Sequence, residues 1–197
     1  MNCHFEVING DCEYLLNNTS VREGLRYCGC RDSRDEELYL LAKECLGELC
    51  ERITPKAVCV KLPVKVQGSE VDFGFCRHES KSLVTFLKDS RQIGIFCATL
   101  GVGADMLISR YSPILPSKAV ITDGVAGALI ECFCDKICEG YFKADPRERF
   151  SPGYGDLPLE MQKYILTFTD ANLKIGLTLT DSMLLTPTKS VTAIVKL

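Results

Sequence analysis

From Ala57 to Val66, Val58, Val60, Leu62, Val64 and Val66 stand at every second position. A period of two sends alternate side chains to opposite faces, so this run reads as a half-buried β-strand. It breaks near Pro63, which has no amide to give to a ladder. A strand of this kind obliges the chain to build a sheet, and the rest of the pattern says which kind. Ile93 to Ala98 is a compact apolar strand, and Val191 to Val195 is the final one. A short amphipathic piece around Phe5 to Ile8 opens the chain. Ser20 to Tyr27 reads as a helix that ends before Gly29. Leu38, Leu41, Cys45, Leu49 and Ile53 then recur at helical spacing until Pro55 stops the run. Ser33-Arg34-Asp35-Glu36 ahead of them has the form of a capping box. Further helices are predicted over Glu79 to Lys88, Ala104 to Tyr111, Lys118 to Tyr141 and Pro158 to Phe168, with a break at Pro113 and Pro116. Helices and strands mix without regular βαβ alternation, which favours an α+β fold over a doubly wound sheet. The length suits one domain over residues 1–197, with 1–55 a helical N-terminal portion and 56–197 a mixed body.

Composition excludes several classes of function. Net charge is −3, and no basic face is visible for duplex nucleic acid. No apolar leader follows Met1, and no run approaches the length needed to cross a bilayer, so a soluble, cytoplasmic protein is expected. Twelve cysteines in 197 residues fall below the ~8–10% of a disulfide scaffold. Cys132-x-Cys134-x-x-x-Cys138 and Cys28-x-Cys30 lack the two-residue gap of zinc knuckles. Burial as small reduced hydrophobes is therefore favoured over metal ligation. His4 and His78 stand in neither a ligand-rich nor a triad-like context.

The run Arg149-Phe150-Ser151-Pro152-Gly153-Tyr154-Gly155-Asp156-Leu157-Pro158 is the one segment that no ordinary core, cap or turn explains. Pro152 fixes φ near −65° and biases Ser151 toward extended backbone. Gly153 and Gly155 let the backbone turn and approach a ligand with no Cβ in the way. A stiff, extended loop is expected, with Arg149 at one end and Tyr154 at the other. It suits a small molecule that carries an acidic group and a flat ring. On the long helix, Gly124, Gly127 and Glu131 share a face by their spacing. The two glycines would admit another backbone and leave the carboxylate at the edge of a tight contact; a solvated glutamate is the plainer alternative. Gly101-x-Gly103, between a strand and a helix, lacks the third small residue of a dinucleotide fingerprint, since Met106 stands there. A tight backbone turn is favoured for it, with Asp105 suiting the positive start of the helix.

The spacing Arg-x-x-x-Gly-Tyr, with the run from Arg149 to Leu166, resembles the S-adenosylmethionine-binding signature of the activation domain of cobalamin-dependent methionine synthase. The tail from Lys174 to Ser182, then Pro187 to Ile194, is similar to the helix, Thr-rich turn and final strand that follow the signature there. Thr99-Leu100-Gly101 with Asp105, and the helix around Glu131, resemble the middle of short, free-standing members. The resemblance implies a mostly antiparallel, twisted sheet packed with several helices. It also implies that Arg149, Ser151, Gly153 and Tyr154 line the ligand, with Glu131 as the acidic residue near it. In that family an electron from a flavodoxin- or ferredoxin-like donor and a methyl group from S-adenosylmethionine restore cobalamin that has been oxidised to cob(II)alamin. By resemblance the chain is an accessory subunit that docks on the corrinoid domain of a partner and needs no catalytic acid, base or thiol of its own. Three other readings stay open: a self-contained methyltransferase acting on a small molecule, with the Gly101 loop as its main site, a non-catalytic docking module for a corrinoid protein, and a thiol-based redox or metal protein.

Overall fold

A computed structural model describes residues 3–30 and 35–197. Strand β1 (Phe5–Asn9) is followed by helices α1 (Cys12–Asn18), α2 (Val21–Tyr27) and α3 (Glu36–Cys50). Each of these helices starts on a side-chain oxygen that takes up an orphan amide: Asp11 accepts from Glu13 and Tyr14, Ser20 from Glu23, and Asp35 from Leu38. Caps of this kind contribute about 1 kcal/mol each. The capping box beginning at Ser33 lies outside the described residues, and the cap seen is Asp35. Helix α1 has no counterpart among the helices expected from sequence, because it buries only Leu15 and so carries no apolar stripe.

Strand β2 (Lys56–Pro63) leads into a small antiparallel sheet of β3 (Lys65–Gln67), β4 (Glu70–Asp72) and β5 (Arg77–Glu79). Then come α4 (Lys81–Phe86), β6 (Gln92–Thr99), α5 (Val102–Tyr111) and α6 (Pro116–Ile137), the last ending in a π-helical turn, Cys138–Phe142. The long helix thus starts earlier than Lys118, with Pro116 in its first turn where a missing amide costs nothing. The chain closes with β7 (Arg149–Phe150), α7 (Met161–Thr169), α8 (Ala171–Ile175), a hairpin of β8 (Thr178–Leu179) and β9 (Leu185–Thr186), and β10 (Ser190–Lys196). Helix α7 begins three residues beyond Pro158, after a turn.

The main sheet has the order β1-β2-β6-β10-β7, with every pair antiparallel. The architecture is α+β. Its central strands are buried on both faces, which corrects the half-buried reading of Ala57 to Val66. Ala57, Cys59, Phe96, Ala98, Ala193 and Val195 face a core shared with α1, α2, α3, α5 and α6. Val58, Val60, Leu62, Ile95, Cys97 and Ile194 face a second core with α4, α7, α8 and the small sheet. The second layer comes from chain beyond the strand itself, so alternation alone could not announce it. Strand β1 is hydrogen-bonded to β2, and α2 and α3 pack against α6, so the described residues before Lys56 share one sheet and one core with the body. Among the described residues no helix is long and apolar enough to cross a membrane.

Helices α2 and α6 meet backbone to backbone. A Cβ on Gly124 would come within 2.5 Å of the Gly24 carbonyl and 2.2 Å of Cys28 Sγ, and one on Gly24 within 2.9 Å of Val125 Cα. This crossing carries Tyr27 alongside Gly127 and toward the turn that bears Glu131. Gly124→Ala is expected to destabilise the fold by roughly 1–3 kcal/mol through overpacking. A urea titration that shows an unchanged midpoint for this variant would mean that the helices are not held this close.

Candidate ligand-binding cleft

Strand β7 is the short edge of the sheet, with Arg149 opposite Val195 and Phe150 opposite Ile194. This pairing holds Arg149 beside α6. Its Nε donates to the Pro146 carbonyl at 2.8 Å, and its Nη2 donates to Glu131 Oε2 at 3.0 Å and Asp135 Oδ1 at 2.9 Å. Glu131 and Asp135 are one helical turn apart, so both carboxylates reach the same nitrogen. Nη1 has no hydrogen bond to the described residues. The Arg149 side chain is only 19% exposed. Burial works against its charge, but Cys134, Glu131 and Asp135 around it more than compensate, so the guanidinium holds its proton more firmly than usual. Burial lifts the Asp135 carboxyl above the ordinary carboxylate range, and Arg149 only partly opposes that.

The segment after β7 is a compact set of turns, and this corrects the extended loop expected from Pro152. The Tyr154 amide donates to the Ser151 carbonyl at 3.1 Å, the Gly153 amide to Leu157 at 3.0 Å, and the Leu157 amide back to Tyr154 at 3.0 Å. Gly153 at φ 90° and Gly155 at φ 56° supply the left-handed backbone that folds the chain back on itself. Asp156 then fastens the turn to the start of α4. Its carboxylate accepts from the Ser80 hydroxyl, from the Lys81 amide at 2.8 Å and from the Ser82 amide at 3.1 Å. These bonds, that from Ser80 foremost, hold its carboxyl down at about 2. Gly155 passes so close to Ser82 that a Cβ would lie 2.4 Å from its hydroxyl.

Two cavities adjoin at the Arg149 ion pair. A smaller one of about 170 Å³ is walled by Glu131, Arg149, Ser151 and Tyr154, with β10 behind it. A larger one of about 410 Å³ is walled by Glu131, Asp135 and Arg149 on one side and by Glu23 and Tyr27 of α2 on the other. Four of the candidate residues named from sequence, Arg149, Ser151, Tyr154 and Glu131, therefore stand round one space. Gly153 shapes the turn and is not part of that wall. Arg149 and Glu131, which the sequence suggests as separate contacts, are bonded to each other. Tyr154 is 62% exposed, its ring edge-on to Phe150.

Asp135, Tyr27 and Asp156 were not singled out from sequence. Asp135 had a signal, since it lies four residues after Glu131 on the same helix face. Tyr27 and Asp156 had none, because their partners come from distant segments. Gly101 and Gly103 pack closely against protein: a Cβ on Gly103 would meet the Arg52 carbonyl at 2.0 Å, and one on Gly101 the Thr54 hydroxyl at 2.5 Å. Asp105 does more than favour a helix start, because it accepts from the amide of Thr188 at 2.9 Å and from its hydroxyl. Cys97, Cys134 and Cys138 are core residues, and burial pushes the thiols of Cys97 and Cys138 up to about 12 and about 11. Among the described residues no group of three or more His, Cys, Asp or Glu is placed to hold a metal ion. His78 packs edge-on against Tyr164 in the small sheet, outside the cleft walls, and burial lowers its pKa.

Comparison with protein-family models finds no match, and comparison with characterised protein sequences finds none. Among solved structures, the chain is similar to one described as the MetH reactivation domain bound to AdoHcy. The likeness covers 97% of this chain and 77% of that chain, with a TM-score of 0.75 and 17% sequence identity. The chain has the fold of that reactivation domain. The likeness lies in the arrangement of helices and strands.

The Asp156 clamp has a pH signature. Its carboxyl is held at about 2 in the folded protein against an ordinary 3.8. A depressed folded value contributes stability that is complete above the unfolded value and is lost as pH falls through the folded one. Asp156→Asn is therefore expected to lower the melting temperature at neutral pH. The gap from wild type should shrink between pH 3.8 and about 2. Thermal melts across that range check it; a gap independent of pH would remove the clamp.

Proposed function

We propose that this protein is an activation-type module that binds S-adenosylmethionine in the cleft between β7 and α6 and docks over a corrinoid carried by a partner protein. The observation that carries the reading is the cavity shared by Arg149, Ser151, Tyr154 and Glu131, in a chain with the fold of a reactivation domain. The smaller cavity alone is below the ~300 Å³ at which small-molecule pockets begin. A ligand of this size would straddle the Arg149 ion pair and enter both spaces. The open Nη1 edge of Arg149 suits the ligand carboxylate through a charge-assisted hydrogen bond. Glu131 suits the sulfonium, and the exposed ring of Tyr154 is free to cover the adenosine.

When bound, S-adenosylmethionine supplies the methyl group that a partner's cobalamin takes up in reductive remethylation of cob(II)alamin. The chain's own residues hold and orient. Arg149 anchors one end of the ligand, the Asp156 clamp keeps Tyr154 and Ser151 in register, and the partner closes the open side. Positioning of this sort lowers the entropic part of a barrier, and it needs no acid or base from this chain. A flavodoxin- or ferredoxin-like protein would deliver the electron to the partner, in the cytoplasm. The self-contained methyltransferase reading has less support, since Gly101 and Gly103 pack against Thr54 and Arg52.

Calorimetric titration with S-adenosylmethionine tests the assignment. Arg149→Ala is expected to weaken binding by roughly 10- to 100-fold, the range for a hydrogen bond to a charged group. Equal binding by both proteins would overturn it. Retention of a purified corrinoid protein on the immobilised chain supports the docking role, and methyl transfer to a small molecule with no corrinoid protein present would favour the free methyltransferase.

A further inference from the structure

Two carboxylates meet one guanidinium at the junction of the cavities. The other charged groups in the walls are already matched: Arg147 is paired with Asp145 at 2.6 Å, and Glu23 with Arg26. Among the described residues, Arg147 and Arg149 are the only cationic side chains lining either space. One negative charge is therefore left over where the ligand would cross from one cavity to the other. A second carboxylate here is held against a cost, because burial disfavours the charge on Asp135, Arg149 only partly offsets that, and Glu131 repels it. Anchoring Arg149 needs only one acid. The excess is left for something else in the cleft.

We propose that Asp135 is a charge-selecting residue: with Glu131 it supplies the surplus negative charge that makes the cleft prefer a sulfonium ligand to its neutral thioether counterpart. This rests on the S-adenosylmethionine reading above. S-Adenosylmethionine and S-adenosylhomocysteine share the carboxylate, the ammonium and the adenosine, and differ by one methyl group and one positive charge at sulfur. Their affinity ratio therefore senses the field at that atom. When the methyl group leaves for an acceptor, the C–S bonding pair stays on sulfur and the positive charge disappears. The same field that draws the methyl donor in then ceases to hold the product, and the cleft exchanges one for the other. Asp135 is 47% exposed, so its field is partly screened and its effect is moderate.

Calorimetric titration of the whole chain with each of the two nucleosides, at low and high sodium chloride, tests the proposal. Asp135→Asn keeps an acceptor oxygen for Arg149 Nη2 and removes only the charge. The wild type should prefer S-adenosylmethionine, and the variant should lose about three- to tenfold of that preference, mostly through weaker binding of the charged ligand. Added salt should shrink the wild-type preference toward that of the variant. An unchanged ratio in Asp135→Asn, or equal weakening of both ligands, would reduce Asp135 to a prop for Arg149 and end the proposal. A wild-type preference that ignores salt would do the same without any variant. If the wild type binds neither nucleoside, the cleft assignment itself fails, whereas binding of both with no charge dependence sinks only this inference.

Discussion

The antiparallel pairing of β2, β6 and β10 buries both of their faces, and every other element takes its place from that constraint. A sheet with two apolar faces needs a layer on each side. Helices α1, α2, α3, α5 and α6 supply one, while α4, α7 and α8 with the small sheet supply the other. The edges are left for shorter strands. One of these, β7, carries Arg149, and because β10 holds it in register, its guanidinium lands within reach of α6. The cleft is a consequence of where a two-residue edge strand meets the longest helix.

Two contacts set the dimensions of that cleft. The glycine crossing brings α2 close enough to α6 for Tyr27 and Glu23 to form the far wall. The Asp156 clamp draws the turn after β7 onto α4, so that Ser151 and Tyr154 form the near one. Between them, Arg149 is held by two acids and a backbone carbonyl, with one edge of its fork left open. In the proposed role, a largely buried cation with an unbonded donor and surplus negative charge beside it would meet a zwitterion that carries a further positive centre. The same arrangement is poorly suited to a phosphate or a simple dianion, which the two carboxylates would repel.

Much of the fold was legible in the residues themselves. The strand periodicity of Ala57 to Val66 and the helical spacing from Leu38 to Ile53 marked β2 and α3, because both patterns arise from how successive side chains point along one element. Ser20 marked the start of α2 for an equally local reason. The misses have a common cause. Helix α1 and the small β3–β4–β5 sheet are short and make little apolar pattern of their own. The second buried face of β2 depends on helices far along the chain. In the loop, Pro152 suggested extension, but Gly153 and Gly155 decided the path by adopting positive φ.

The order of residues by itself determined which side chains were at hand to build a cleft, namely an arginine, a tyrosine and paired glycines in one run, and a carboxylate on a glycine-faced helix. It also determined the α+β class, since the period of each segment and its caps are local properties. Only the tertiary structure decided that Arg149 would be bonded to Glu131 and Asp135, that Asp156 would fasten the loop to Ser80 and the first amides of α4, and that Gly101 and Gly103 would pack against Thr54 and Arg52. Those outcomes depend on which elements the two-faced sheet brings side by side, and charge pairing and close packing act across space between segments that share no local pattern.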